Sequence, residues 1–253
     1  MSGRAWIIGN GPSLRETNMD LLIGETTYAM NRIHLQYGRK GCERWRPTDY
    51  VFVDYQTTLP RSVVMEELAM HIRAGEQVYV DEFLREQVYK KLKSPEHMPD
   101  NIHFLPICDR LGHIGANYTS PHAPQSWHLD DPPAFCKFAS GLFTSMQIAV
   151  MEGYNPLYLI GCDLGYQEMQ GTEDPNHFDS AYVQVKPHQV GQPGMSMTAE
   201  YADLTNKKLE FGHQVAYRSC KDLGVQVYNA GVGGQLDVYP RVELETLFLQ
   251  EAA

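Results

Sequence analysis

Short apolar runs alternate with amphipathic stretches along this chain, and the alternation predicts strands and helices in turn. The apolar runs that read as strands lie at 6–8, 26–30, 50–53, 77–80, 101–105, 156–160 and 225–229. Stretches with helical periodicity lie at 16–22, 60–74, 82–92, 141–153, 198–222 and 243–249. Strands that alternate with helices in this way usually pair in parallel, with helices on both faces of the sheet.

The long helix near the C-terminus has the clearest boundaries. Thr198 is a suitable N-cap, because its hydroxyl can accept a hydrogen bond from the first turn, and the pattern continues to about residue 222. The residues predicted to face inward are Tyr201, Leu204, Phe211 and Val215. We treat residues 1–253 as a single nucleotide-binding α/β domain, since no linker or repeat divides them.

Two long segments interrupt this rhythm. Residues 109–135 are rich in Gly, Pro, His, Asn and Asp, and residues 164–198 contain many Gly and Pro. Compact domains seldom keep loops of this length without a functional reason. The sequence therefore predicts an active-site loop at 109–135 and a lid, or second mobile loop, at 164–198.

Composition narrows the classes of function. A formal net charge of −10 argues against nucleic-acid binding but not against a nucleotide, which needs only a local pocket. No apolar run approaches the ~20 residues of a membrane span, and the N-terminus lacks a signal-peptide pattern, so we expect a cytoplasmic protein. The five cysteines are odd in number and form no C-x-x-C pair, so buried free thiols are expected rather than disulfides or a zinc site.

Small and polar residues follow most of the predicted strands. In a parallel sheet these carboxyl ends share one edge, where ligands bind. Strand ends also favour turn-forming residues without any ligand, but the repetition favours a nucleotide pocket. The residues concerned are Gly9-Asn10-Gly11-Pro12-Ser13, Asn31, Asp54, Ser140-Gly141, Gly161-Cys162-Asp163 and Asn229.

Two of these strand ends have the pattern of phosphate sites. After the first strand, Pro12 fits a first helical turn and Ser13 offers a hydroxyl and an N–H, which predicts an anion site; a tight turn without a ligand is the equal alternative. Ser140 and Gly141 open a helix and predict a second phosphate site. The first of these stretches is neither a G-x-G-x-x-G motif, because Leu14 holds the third glycine position, nor a P-loop. Asn31 and Asp54 can hold a base, ribose or phosphate.

Several blocks, taken in order, resemble a known group of enzymes. The blocks are Ile7-Ile-Gly-Asn-Gly-Pro-Ser-Leu14, Tyr28-Ala-Met-Asn31, Phe138-Ala-Ser-Gly141 with its helix, Gly153-Tyr154, and Leu157-Tyr-Leu-Ile-Gly-Cys-Asp163. They are similar to the bacterial sialyltransferases of glycosyltransferase family 42, and to the related domain of motility-associated flagellin glycosyltransferases and archaeal hydroxymethylpterin diphosphokinase. The resemblance implies a Rossmann-like, mostly parallel sheet flanked by helices with a lid-like insertion, the GT-A-variant sialyltransferase type.

The resemblance also implies roles for individual residues. The cytidine monophosphate (CMP) part of a nucleotide-sugar donor would be held at strand-end positions, with Gly9 and Gly161 in the same turns; these positions are Asn10, Gly11, Ser13, Asn31, Ser140 and Gly141. A lid histidine takes the proton of the acceptor hydroxyl, and His177 in Asn176-His177-Phe178 matches it. Tyr166 matches the first of two lid tyrosines on the leaving phosphate, and Tyr182 is in range of the second. A homo-oligomer is a further expectation.

The chain departs from the family at three places: Lys137 and Ala139 replace an Arg and a Thr, and Asp54 replaces an Asn. Three functions therefore stay open. The first is transfer from a nucleotide sugar, with no metal required, to a glycan or small-molecule acceptor. The second is diphosphokinase-like phosphoryl transfer with Mg²⁺ held by Asp54 and Asp163 at neighbouring strand ends. The third is a nucleotide-binding module without catalysis. For Asp163, ligand binding and a bond to the backbone of its own turn are equally good interpretations.

Overall fold

A computed structural model of the chain describes residues 3–54, 61–92, 98–108, 126–130, 133–183 and 197–249. The described residues form one parallel sheet in the order β5-β4-β3-β2-β1-β6-β7. The strands are β1 Ala5–Ile8, β2 Thr26–Met30, β3 Asp49–Phe52, β4 Gln77–Asp81, β5 Ile102–Leu105, β6 Leu157–Ile160 and β7 Val227–Asn229. The predicted Rossmann-like α/β sheet is confirmed.

Helices cover both faces of this sheet, which is why its strands are apolar on both sides. They are α1 Arg61–Ala74, α2 Arg85–Leu92, α3 Gly141–Met151, α4 Ala199–Asp222 and α5 Leu244–Leu249. On one face Ile7 of β1 is buried with α3 and α4, and on the other Trp6 and Ile8 are buried with α1 and α2. Within the described ranges, no helix combines the length and apolarity needed to cross a bilayer.

The chain reverses its direction of travel across the sheet at β1. It first builds β1 to β5 towards one edge, and then returns to place β6 on the other side of β1. A crevice forms outside the carboxyl ends of the two strands at such a switch point, and it is the usual ligand site of an open α/β sheet. A ligand site is therefore expected between the turns that follow β1 and β6.

The helix boundaries follow from their caps. The Thr198 hydroxyl accepts from the Tyr201 N–H at 3.2 Å, which confirms the predicted start of α4. The predicted inward face is partly wrong: Val215 is buried, Leu204 and Phe211 are half-buried, and Tyr201 is half exposed. The buried face of α4 instead includes Leu209 together with Ala202, His213, Ala216 and Cys220, which are small or polar and so give no apolar periodicity.

Two predicted helices differ from the observed structure, one throughout and one in its first turn. Residues 16–22 form no single helix; the 3₁₀ helix Pro12–Arg15 lies before them and the 3₁₀ helix Met19–Leu22 occupies their second half. The predicted helix at 82–92 begins with the 3₁₀ turn Glu82–Leu84, where the Asp81 carboxylate accepts from the Phe83 N–H at 3.0 Å, and then continues as α2. A further 3₁₀ helix, Ile33–Gln36, follows β2.

The expectation of five free thiols is wrong. Cys108 and Cys136 are joined in a disulfide with their Cα atoms 5.6 Å apart, whereas Cys42, Cys162 and Cys220 are free and buried. The two half-cystines are brought together because Cys108 N–H donates to Phe135 O at 2.8 Å, in a parallel bridge beyond the end of β5. Most of the predicted active-site loop at 109–135 lies outside the described residues.

Candidate functional site

A cleft of about 460 Å³ opens at the carboxyl ends of β1, β2 and β6. Most of the candidate site residues named from the sequence line it: Gly9, Asn10, Gly11, Pro12, Ser13, Asn31, Ser140, Gly161, Cys162, Asp163, Tyr166, His177 and Tyr182. Gly141 lies directly behind Ser140, and Asp54 lies away from the cleft lining. Asn229 does not line the cleft either, so the carboxyl ends of the parallel strands bring together all of the candidate strand-end residues except Asp54, Gly141 and Asn229.

Gly9 and Gly11 allow the turn after β1 to pack closely against the turn after β6. The Gly9 N–H donates to Ile160 O and the Gly11 N–H donates to Gly161 O, both at 2.8 Å. A Cβ atom on Gly9 would lie 2.3 Å from Gly161 O, and one on Gly11 would lie 2.5 Å from Asp163 Oδ2. These positions need glycine because the β6 turn packs against them, a requirement that the protein alone imposes.

Asp163 occupies the place where the sequence predicted a phosphate. Its Oδ2 accepts from the Ser13 N–H at 2.7 Å, and its Oδ1 accepts from the Ser13 hydroxyl. The following helix is a four-residue 3₁₀ turn rather than an α-helix. The Ser13 donors therefore bind a carboxylate of the protein in this structure, and the anion site expected at this turn stays a prediction that this arrangement does not favour. The alternative that Asp163 bonds its own turn is wrong, because these bonds join it to the turn of another strand.

Asp54 and Asp163 are not at neighbouring strand ends. Asp54 follows β3 and Asp163 follows β6, and both β2 and β1 lie between them. Three strand spacings separate the two ends by roughly 14 Å, and Asp54 pairs instead with Lys137 at 3.7 Å. In the described part of the chain, no three His, Cys, Asp or Glu side chains cluster as metal ligands would.

The N-terminus of α3 reaches the cleft through Ser140. Its Oγ accepts from the Leu142 N–H at 3.2 Å as an N-cap, and Gly141 begins the helix. The approach to this cap is strained, because Phe138 and Ala139 have φ angles of 41° and 71°. Strained backbone of this kind persists where surrounding structure holds it, commonly at functional sites. This helix end is the predicted phosphate position that remains available.

Two asparagines complete the floor of the cleft. Asn31 directly follows β2 and has a φ of 50°, a conformation that asparagine tolerates better than most residues. Asn10 is 8% exposed, and its Nδ2 donates to Met30 O at 3.1 Å. Its Oδ1 is buried and has no hydrogen-bond partner among the described residues. A buried amide oxygen without a partner is costly, so a donor on a bound ligand would stabilise it.

The lid residue His177 borders the cleft and is fixed by its neighbours. Its Nδ1 lies 2.5 Å from Asp174 Oδ2, and its ring stacks on Tyr182 with 4.0 Å between centroids. Tyr166 meets the ring edge-on at 5.9 Å. Sequence reasoning missed Asp174, although its position three residues before the histidine was visible in the chain.

The lid residues described here are tied to the body of the protein at several points. Arg15 Nε donates to Phe178 O at 2.6 Å, and Arg32 donates to Tyr182 O at 2.6 Å. The Asn206 side chain bonds both the N–H and the C=O of Tyr166, at 2.6 and 2.9 Å. Residues 164–183 are thus irregular yet fixed by hydrogen bonds, and the remainder of the predicted lid up to residue 196 lies outside the described residues.

Two lid tyrosines face the cleft, Tyr166 and Tyr182. Burial raises the pKa of both phenols, and the carboxylate of Asp174 raises that of Tyr166 further. Both hydroxyls therefore keep their protons near neutral pH and can donate hydrogen bonds. The Tyr182 hydroxyl also accepts from the Arg32 N–H at 3.3 Å.

A second histidine on the cleft wall was missed from the sequence. His213 of α4 is 3% exposed, and its Nδ1 lies 3.1 Å from the hydroxyl of Tyr239. Burial lowers the pKa of His213 to about 3, so its ring is neutral near pH 7. Its inward position in the helical stripe at Leu209 was the available signal. Of the other loop histidines that could compete with His177 for this role, His128 is exposed, and His113, His122 and His188 lie outside the described residues.

Comparison with known proteins gives a fold and no sequence family. Neither a protein-family model nor a curated protein matches the sequence. The MAf glycosyltransferase from Magnetospirillum magneticum AMB-1 resembles the fold with a TM-score of 0.49 and 13% identity over 96% of this chain and 34% of that one. The present chain thus spans about a third of that protein.

The second structural neighbour is of similar length to this chain. It is an asparagine-to-alanine variant of the sialyltransferase CST-II in complex with CMP, with a TM-score of 0.50 and 14% identity. The match covers 94% of this chain and 86% of that one. The chain therefore has a glycosyltransferase-like α/β fold, as its sequence motifs predicted.

Proposed function

We propose that this chain is a glycosyltransferase that takes a nucleotide sugar of the CMP type and transfers the sugar to a hydroxyl group of a glycan or small-molecule acceptor. The observation that carries the proposal is that His177 lines the switch-point cleft with its Nδ1 against the buried carboxylate of Asp174. A histidine held in this way is suited to accept a proton from an acceptor hydroxyl. The CMP bound to the CST-II neighbour supports the same class of nucleotide.

The charges on the cleft wall support a donor with a single phosphate. Of the described residues that line the cleft, none is Lys or Arg, and Asp163 is the one acidic residue. A nucleoside monophosphate sugar carries about one negative charge at its phosphodiester, which neutral donors and a helix N-terminus can offset. A diphosphate or triphosphate would bring more charge than these groups balance, since burying uncompensated charge is costly.

The same observations disfavour the diphosphokinase alternative. That reaction places Mg²⁺ between carboxylates and a triphosphate, whereas β2 and β1 separate Asp54 from Asp163. Asp163 also uses both carboxylate oxygens on Ser13, and Asp54 pairs with Lys137. The two carboxylates named for the metal therefore do not form one site.

In the proposed reaction, the proton of the acceptor hydroxyl moves to Nε2 of His177. The acceptor oxygen forms a bond to the anomeric carbon of the donor sugar, and the bond from that carbon to the phosphate oxygen breaks. The electron pair leaves with CMP. Hydrogen bonds from Tyr166, Tyr182 and the Ser140 end of α3 would stabilise the charge that develops on the leaving phosphate.

The test begins with nucleotide binding by thermal shift, using CMP, UMP, GMP, AMP and ATP with and without Mg²⁺. We expect CMP to stabilise the protein without Mg²⁺, by about 2.7 kcal/mol at a hundred times its dissociation constant. CMP release from a CMP-sugar is then measured with a panel of acceptors. His177→Ala should keep CMP binding and lose turnover, and His128→Ala, at an exposed position, is the matched control.

Each contrary outcome points to a different function. A shift that needs both Mg²⁺ and ATP would contradict the proposal and favour phosphoryl transfer. CMP binding without turnover across the acceptor panel would favour a nucleotide-binding module. If none of the nucleotides shifts the unfolding temperature, the proposed function is refuted.

A further inference from the structure

A buried carboxylate lies directly beneath the lid histidine. The Asp174 side chain is 1% exposed, and its two oxygens have different partners. Oδ2 lies 2.5 Å from Nδ1 of His177, and Oδ1 accepts from the backbone N–H of Asn176 at 2.8 Å. The Asp174 N–H in turn donates to Ser180 O at 2.7 Å. Backbone hydrogen bonds of the same segment therefore hold the carboxylate in position.

The His177 ring has little freedom to rotate away from this partner. It lies flat on Tyr182, with 4° between the two planes, and edge-on to Tyr166 at 83°. An ionised carboxylate can only accept hydrogen bonds, so the contact with Asp174 keeps the proton on Nδ1. The lone pair is then on Nε2, and the ring that carries it borders the cleft.

We propose that Asp174 is a positioning residue of this site, which fixes the Nδ1–H tautomer of His177 and so leaves Nε2 ready to accept a proton. This inference rests on the proposed function. In the transfer step, Nε2 takes the proton of the acceptor hydroxyl as the oxygen bonds the anomeric carbon and CMP departs with the electron pair. Asp174 keeps its hydrogen bond from Nδ1–H and so stabilises the imidazolium that forms.

The hydrogen bond from the Asn176 N–H to Asp174 Oδ1 determines how an asparagine at position 174 would be oriented. In Asp174→Asn, the backbone N–H of Asn176 needs an acceptor, so the amide oxygen takes the Oδ1 position. The amide NH₂ group then faces Nδ1 of His177 and can only donate to it. This arrangement favours the opposite tautomer, with the proton on Nε2, and removes the acceptor lone pair from the cleft.

Asp179 provides a matched control in the same lid. Its Oδ1 accepts from the Ala181 N–H at 2.7 Å, two residues later, just as Asp174 accepts from Asn176. Its other oxygen pairs with Arg39 and not with a histidine. Asp179→Asn therefore removes a lid carboxylate of similar local geometry without touching His177.

The experiment reads the tautomer directly, by ¹⁵N NMR of the histidine ring nitrogens at alkaline pH, with His177→Gln used to assign the signal. Wild type and Asp179→Asn should show Nδ1–H, and Asp174→Asn should show Nε2–H. CMP affinity, measured by calorimetry, should stay within about twofold, while kcat falls by about 10²- to 10⁴-fold. Asp174→Glu, which restores a carboxylate, should recover part of that loss.

Two results would overturn the inference. One is an Nε2–H tautomer in the wild-type protein, a measurement that requires no variant to fold. The other is an Asp174→Asn protein that binds CMP and keeps wild-type kcat. Because the NMR signal requires no substrate, a protein that fails to bind CMP or transfer sugar would refute the proposed function while the tautomer still tests the role of Asp174.

Discussion

His213 should couple the stability of this protein to pH. Burial lowers the pKa of His213 from 6.5 to about 3, so the unfolded chain binds a proton that the folded protein excludes. Above pH 6.5 the His213 ring is neutral in both states and costs no stability. As the pH falls from 6.5 towards 3, the free energy of unfolding decreases, because only the unfolded chain takes up the proton. At about pH 5 the difference between the two pKa values corresponds to a loss of about 2 kcal/mol relative to about pH 8.

The perturbation is His213→Asn. The asparagine amide can occupy the position of Nδ1 and keep a hydrogen bond to the Tyr239 hydroxyl, but it does not titrate. The variant loses the ring contact with Phe143, whose centroid is 4.8 Å from that of His213, so it should be less stable at every pH. The informative quantity is therefore the change in stability between two pH values.

The assay is urea unfolding at about pH 8 and about pH 5. The fall in unfolding free energy between them should be smaller in His213→Asn than in wild type by about 2 kcal/mol. The pKa of His34 is lowered to about 4, mainly by burial, so this residue also makes stability depend on pH. Its contribution is the same in wild type and in His213→Asn and cancels when the two are compared. The exposed His128→Asn serves as control and should keep the wild-type dependence. Equal pH dependence in wild type and His213→Asn would refute the burial argument.

Three further predictions test other parts of the structure. Gly11→Ala should destabilise the protein by about 2–4 kcal/mol, because its Cβ would lie 2.5 Å from Asp163 Oδ2; an unchanged melting temperature would contradict this contact. Reductant should lower the melting temperature of wild type, since opening the Cys108–Cys136 loop costs about 3–4 kcal/mol, and a double Cys→Ser variant should not respond to it. Burial raises the pKa of Asp49 to about 6, so the folded protein binds more protons there and ionisation costs up to about 3 kcal/mol at neutral pH. Urea unfolding should find Asp49→Asn more stable than wild type at about pH 7 by part of that amount, and less so at about pH 4; a variant that is no more stable at neutral pH would contradict it.

The sheet and the position of the cleft could be predicted from the sequence because both depend on local patterns. Runs apolar on both faces mark strands that helices cover on both sides, and the observed strands lie within two residues of the predicted ones. Thr198 and Ser140 were identified because a cap requires only a side chain and the turn that follows it. The rule that parallel strands end at one edge then placed the cleft.

Contacts between distant segments could not be predicted in the same way. The expected proximity of Asp54 and Asp163 failed because the order of strands is set by pairing, and two strands lie between them. The disulfide was missed because Cys108 and Cys136 meet only through a bridge between loops 28 residues apart. Asp174 and His177 are close in the chain, yet their contact depends on a turn that hydrophobic periodicity does not describe.

The Gly-rich turn after β1 illustrates how one pattern serves two purposes. Gly9 and Gly11 allow the β6 turn to pack closely, and Asp163 takes the donors of Ser13. This turn therefore supports the cleft, whereas His177 and the N-terminus of α3 are the groups that contact the ligand in the proposed function. Substitutions at Gly11 should consequently act mainly on stability, and substitutions at His177 mainly on turnover. Because the two effects are measured separately, they distinguish the residues that build the site from the residue that acts in it.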